Sequence, residues 1–92
     1  MAYVKQIAAA PEEVKMIKLS DMIENMTSVA YSIQEVGVKW ADDFFLPIMN
    51  EIKPVVEGAQ YVRFKKTSAL LIEMMQSAYD RLQRILAIWK LI

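Results

Sequence analysis

The sequence predicts an all-α protein, built as a long antiparallel helical hairpin with a proline-bounded corner. Two long stretches carry apolar residues at alternating spacings of three and four, which is typical of packed helices. Prolines and a glycine separate these stretches at Pro47, Pro54 and Gly58. Hydrophobic residues make up 55% of the 92 residues, more than a small helical pair can bury by itself. We therefore expect other subunits to complete a bundle or a repeating assembly.

The C-terminal stretch, residues 68–92, gives the strongest helical pattern. One apolar row follows the a and d positions of a packed helix: Leu71, Met75, Ala78, Leu82, Ile85, Trp89 and Ile92. A second row runs beside it: Ile72, Tyr79 and Leu86. Four further apolar residues lie outside both rows: Leu70, Met74, Ile88 and Leu91. A helix that is apolar over more than half of its circumference needs more than one neighbouring helix.

The first half of the chain predicts one long helix from residue 11 to residue 45, with a bend near Ser20. Pro11 followed by two glutamates is a typical helix start. The supporting apolar row alternates by three and four: Met16, Leu19, Ile23, Met26, Ala30, Ile33, Gly37, Trp40 and Phe44. The alternative is a short helix to Leu19 and a second helix capped by Asp21. Residues 1–10 are either an arm that docks on a neighbour or a frayed terminus.

Three residues of that row are candidates for close packing. Ala30 and Gly37 lie seven residues apart, and small residues at this spacing allow another helix to approach. Trp40 continues the row, which favours a helix that passes through Gly37. The alternative is that Gly37 ends the helix.

The corner is predicted at residues 46–58, with one short helix inside it. Leu46 precedes a proline and should leave helical geometry, while Pro47 can open a new helical turn. The last helix is predicted over residues 59–92, unless Thr67 or Ser68 caps a separate, later helix.

Charge and composition disfavour several classes of function. Lysine plus arginine and aspartate plus glutamate each number 11, so no net field attracts nucleic acid or an anionic membrane. The chain has no cysteine and no histidine, which removes disulfides, thiolate metal sites and the commonest general base. No apolar run is long enough for a membrane span or a typical signal-peptide core, so we expect an intracellular protein.

Two local clusters could carry chemistry. Asp42 and Asp43 are adjacent, so on a helix their carboxylates point about 100° apart and do not converge on a metal ion. Arg63, Lys65 and Lys66 interleave with aromatic residues and form a candidate patch for an anionic ligand. A solvated helix start explains the same residues.

The sequence thus predicts a non-catalytic structural or assembly protein, without cofactor or metal, that forms a homo-oligomer through helix packing. An adaptor that binds the helix of a partner protein and an interfacial membrane-binding protein are the alternatives. The expected packing residues are Leu70, Leu71, Met74, Met75, Leu82, Ile85, Ile88, Trp89, Ile92, Ala30, Gly37 and Trp40.

Overall fold

The computed structural model describes residues 2–92, and this part of the chain is all-α with no β-strand. The helices are α1 (Ala2–Ala9), α2 (Glu12–Tyr31), α3 (Ile33–Val36), α4 (Val38–Trp40), α5 (Leu46–Gly58) and α6 (Lys65–Leu91). A π-helical turn, Ala41–Phe45, joins α4 to α5. The backbone stays helical from residue 38 to residue 58, and we call this unit the middle helix. The predicted all-α helical hairpin fold is confirmed.

The chain runs up, down and up again. At one end, the Glu12 carboxylate accepts hydrogen bonds from the loop that precedes α6, so the starts of α2 and α6 are adjacent. At the other end, Trp89 lines the same groove as Tyr31, so their C-terminal ends are adjacent too. The middle helix runs antiparallel to both, as the contact between Lys90 and Asp42 requires. α2 and α6 are therefore parallel neighbours, and each of them forms an antiparallel hairpin with the middle helix rather than with the other.

The core lies where α2, the middle helix and α6 meet. α2 contributes Leu19, Met22 and Met26, all fully buried, and the other two helices contribute side chains of similar size. These are Met49, Ile52 and Val56 from the middle helix and Met75, Leu82 and Leu86 from α6. Full burial of each large side chain contributes roughly 1.5–3 kcal/mol. The three-helix core thus dominates the stability of the chain.

The first helix ends well before the predicted residue 45. α2 passes through Ser20 without a break and continues to Tyr31, where Ser32 distorts the backbone. One further turn, α3, leads to Gly37, whose φ of 93° and ψ of 134° reverse the chain. Such a φ strains any residue with a Cβ atom. Gly37 is therefore the corner, and the apolar row that crosses it does not belong to one helix.

The prolines do not form the corner, contrary to the sequence prediction of a turn at residues 46–58. Pro47 lies in the first turn of α5, directly after the π turn. In a regular α-helix a proline ring clashes with the carbonyl four residues earlier, and here the residues before Pro47 form a wider π turn instead. Pro54 lies inside α5 on its exposed side, where water can reach the Asn50 carbonyl that it leaves without an N–H donor.

Both ends of the chain also differ from the prediction. Residues 2–9, predicted as an arm or a frayed terminus, form α1, which packs on α5 and buries Ile7. The last helix begins at Lys65 and not at residue 59. Ser68 does not cap it, because the serine hydroxyl donates back to the Lys65 carbonyl within the first turn.

Replacing Gly37 with alanine should destabilise the protein. The new Cβ would meet no atom within 4 Å, so the cost comes from the positive φ alone, about 1–3 kcal/mol. Gly58→Ala is the matched control, since Gly58 also has open space but no positive φ. Urea unfolding followed by circular dichroism measures both. Equal midpoints for the two variants would contradict the assignment of Gly37 as the corner.

Candidate interaction surface

α6 has an inner face that packs within its own chain. Met75, Leu82 and Leu86 are buried there. Six more apolar residues pack against this core and are partly buried: Leu71, Ile72, Ala78, Tyr79, Ile85 and Trp89. Both sequence-predicted rows of α6 therefore lie on the inner face, apart from Ile92, which follows the end of the helix and is exposed.

The opposite face of α6 carries a regular exposed row that we call the outer stripe. Its seven members alternate by four and three residues, and all are exposed: Leu70, Met74, Ser77, Arg81, Arg84, Ile88 and Leu91. Its four apolar members, Leu70, Met74, Ile88 and Leu91, are exposed by 62%, 54%, 57% and 88%. These are the four residues that fall outside both rows of the sequence pattern. Nothing within residues 2–92 covers them.

An open groove runs beside the outer stripe, between α2 and α6. Ile23 and Thr27 line it from α2, and Met74, Ser77 and Ala78 line it from α6. The groove exists because α2 and α6 are parallel neighbours and the middle helix covers only one side of their seam. A groove between two parallel helices has the shape that a third helix fills in a bundle.

The centre of the outer stripe is charged. Arg81 and Arg84 lie in the stripe, with Glu73 and Asp80 on its flank. Among the residues that the structure describes, none of these four forms a salt bridge within the chain. Their charges are therefore available to a neighbour that approaches α6.

Two smaller apolar patches lie elsewhere on the surface. Tyr3, Val14 and Ile17 line one open groove between α1 and α2, and each is exposed. A second exposed group, Trp40, Phe44 and Ile48, is spaced by four residues along one side of the middle helix. Neither patch is predicted from the sequence. The first requires a helix at residues 2–9, and the second lies beyond Gly37, where the sequence predicts that the helix continues without a change of direction.

The structure separates the remaining predicted packing residues. Ala30 is buried in the core, as a packing role requires. Gly37 lies at the chain reversal with open space around it, so it does not serve helix approach. Trp40 is 44% exposed and stacks on Phe45, with ring centroids 5.6 Å apart, so it is not an inner-row residue. The change of helical direction at Gly37 is the physical reason for both corrections.

The predicted basic patch already holds carboxylates from its own chain. The Glu12 carboxylate accepts hydrogen bonds from the backbone N–H groups of Val62, Arg63 and Phe64, with N–O distances of 3.1, 2.8 and 3.1 Å. The Arg63 guanidinium pairs with Glu13 at 2.7 Å. Lys65 and Lys66 are exposed. An external anion would have to displace Glu12, which argues against a preformed anion site at this loop.

A column of polar contacts closes the seam between the middle helix and α6. Lys53 pairs with Glu57, which also accepts a hydrogen bond from Gln76. Further along, the Tyr79 hydroxyl donates to Asn50, and Lys90 pairs with Asp42 at 2.8 Å. No buried side-chain N or O atom in residues 2–92 lacks a hydrogen-bond partner. The polar groups of this seam are satisfied within the chain, unlike the charges of the outer stripe.

The described residues contain no group of three or more acidic side chains placed to hold a metal ion. No helix in residues 2–92 is both long enough and apolar enough to cross a membrane.

Glu12→Ala should destabilise the protein more than Glu13→Ala. Removal of Glu12 leaves three N–H groups of the loop before α6 without their charged acceptor, which costs about 1–2 kcal/mol. Glu13 makes only an exposed ion pair, worth about 0–1 kcal/mol. Both variants remove one acid from the first turn of α2, so that contribution cancels. Urea unfolding measures the free energy of unfolding of both variants. An equal loss of stability would contradict the stabilisation of the loop before α6 by Glu12.

Tyr61 should make stability fall at alkaline pH. Burial, and then the nearby Glu12 carboxylate, raises the pKa of the Tyr61 phenol above 10.0, and its hydroxyl donates to the Val56 carbonyl. Its contribution is fully present below pH 10.0 and is lost as the pH rises through the raised folded-state pKa. The loss is about 1.4 kcal/mol per pH unit in that interval. Urea unfolding at rising pH measures it, and Tyr61→Phe should lack this part of the slope; identical slopes would contradict the assignment.

Comparison of the chain with protein-family models, curated proteins and solved structures gave no match. The exposed surface of α6 and the groove beside it are therefore the observations that bear on function.

Proposed function

We propose that this chain is a non-catalytic structural or assembly protein that acts through helix-mediated self-association. The observation that carries the proposal is the outer stripe, which exposes four large apolar side chains on the longest helix. The stripe exposes one apolar pair at each end, Leu70 with Met74 and Ile88 with Leu91, and exposed apolar groups of this size are candidate contact sites for another molecule. The charged centre of the stripe gives such an interface a means of selecting its alignment.

The free energy available from burying the apolar ends of the stripe can be compared with the free-energy cost of association. Burial of the exposed parts of Leu70, Met74, Ile88 and Leu91 would contribute roughly 4–8 kcal/mol for each copy, and therefore roughly 8–16 kcal/mol for a pair. Loss of translational and rotational freedom on association costs roughly 4–15 kcal/mol. The apolar part of the stripe alone therefore only balances this cost. The flanking groove and the charges must add to it, and the two smaller apolar patches offer further contacts for a larger assembly.

A second candidate function is an adaptor that binds a helix of another protein. The open groove between α2 and α6 favours it, because a foreign helix could occupy the same place as a second copy of this chain. The two functions differ in the behaviour of the purified protein. An adaptor remains monomeric alone and gains thermal stability only when its partner is present.

Substitution of Ile88 with aspartate should dissociate the assembly without unfolding the chain. Ile88 is 57% exposed, so the new carboxylate stays hydrated in the monomer but would be buried in the interface. Light scattering coupled to size exclusion should give a mass above 10.6 kDa for the unmodified protein and close to that value for Ile88→Asp, with unchanged helicity.

Two control variants complete this experiment. Leu82→Asp places a charge in the core and should unfold the chain, since Leu82 is fully buried. Gln83→Asp adds a charge to α6 on the side toward the middle helix and should keep both fold and assembly. A 10.6 kDa mass for the unmodified protein at micromolar concentration would reject the proposed function.

A further inference from the structure

We infer that the outer stripe pairs with the same stripe of a second copy, in antiparallel orientation, across a two-fold axis near residue 80. This inference rests on the proposed self-association and specifies its geometry. It follows from the order of residues along the stripe and from the charges beside it.

The outer stripe has an apolar pair at each end and polar residues between the two pairs. Leu70 and Met74 form one apolar end, and Ile88 and Leu91 form the other. The three polar members, Ser77, Arg81 and Arg84, lie between them. A two-fold axis requires a surface that is complementary to itself, because the same patch occurs on both sides. Antiparallel pairing about the centre of this stripe places each apolar end on an apolar end of the second copy.

The charges favour the same alignment. With the axis near residue 80, Glu73 lies within about one helical turn of Arg84 of the second copy, a gap that an arginine side chain can span. Asp80 lies beside Arg81 of the second copy. A parallel pairing in register would instead place Arg84 against Arg84 and Glu73 against Glu73, which is repulsive, whereas Arg81 lies near Arg81 of the second copy in both orientations. Since these four charges have no salt-bridge partner within residues 2–92, the antiparallel arrangement supplies partners for them.

The groove between α2 and α6 accommodates the second copy. Ile23 and Thr27 form its far wall, so the helix that packs on Met74 and Ser77 also contacts α2. The two-fold axis applies this contact twice. The α2 and α6 helices of both copies then surround a shared seam, which is a four-helix arrangement.

The absence of cysteine allows a direct test by spin labelling. Ala69→Cys and Ser77→Cys each introduce a single thiol at an exposed position of α6. In the antiparallel pair, labels at position 69 are about 33 Å apart along the helix axis, and labels at position 77 only about 9 Å apart. In a parallel pair, both sites give the same short distance, close to the separation of about 10 Å between packed helices. In the full chain, pulsed electron paramagnetic resonance measures the long distance, and dipolar broadening of the continuous-wave spectrum reports the short ones.

The outcomes separate this inference from the proposed function. A long distance at position 69 together with a short one at position 77 is the expected result. Short distances at both positions, or long distances at both, in a particle heavier than one chain would overturn the antiparallel pairing and leave self-association intact. No dipolar coupling together with a mass of 10.6 kDa would overturn both.

Charge exchange gives an independent readout. Arg81→Glu with Arg84→Glu should weaken association at least tenfold, because each copy would then present four acids and no base to the four acids of the other copy. Adding Glu73→Arg and Asp80→Arg exchanges all four charges and should restore association to within about threefold. If the variant with all four substitutions keeps the helicity of the unmodified chain but does not regain its association constant, the inferred charge pairs are contradicted.

Discussion

The reversal of the chain at Gly37 is the constraint on which the rest of the architecture depends. Its positive φ ends α3, the turn that follows α2, and sends residues 38–58 back along α2. The next reversal, over residues 59–64, then returns α6 in the direction of α2. Two parallel helices share a seam that the middle helix covers on one side only. The groove, the outer stripe and their exposure all follow from this order of directions.

The second reversal is stabilised by a contact between distant parts of the chain. Glu12 and the loop at residues 62–64 are about 50 residues apart, yet one carboxylate satisfies three backbone N–H groups of that loop. Backbone N–H groups of a loop need an acceptor, and here the acceptor comes from the first turn of the helix that runs parallel to α6. The contact therefore aligns α2 and α6 at one end, while Lys90 and Asp42 join α6 to the middle helix at the other.

The sequence predicts the all-α fold and the two rows of α6, because apolar periodicity within one unbroken helix reports directly on burial. Leu82 and Met75 are buried, and Leu70 and Ile88 are exposed, in agreement with their positions relative to those rows. The corner is not predictable in the same way. Gly37 fits a continuous apolar row as well as a helix end, and only tertiary packing decides between them.

The proline positions and the Glu12 contact mark the other limits of sequence reasoning. Pro47 disfavours helical geometry at the preceding residue, Leu46, yet Leu46 is helical and directly follows a π turn. No residue pattern signals that π turn. The pairing of Glu12 with residues 62–64 depends on two helices lying side by side. Local sequence carries no information about such a contact. The cluster that contains Arg63 and Lys65 therefore predicts an open anion site, although Glu12 and Glu13 already contact this loop.

The distribution of methionine gives the surface of α6 a chemical asymmetry. Met22, Met26, Met49 and Met75 are buried in the core, where their thioether sulfurs are shielded from solvent. Met74 is more than half exposed and lies in the outer stripe. Oxidation to the sulfoxide makes a methionine side chain polar, and it proceeds first at accessible sulfurs. Peroxide would therefore alter the stripe before the three-helix core, which makes the proposed contact surface of this chain more sensitive to oxidants than its fold.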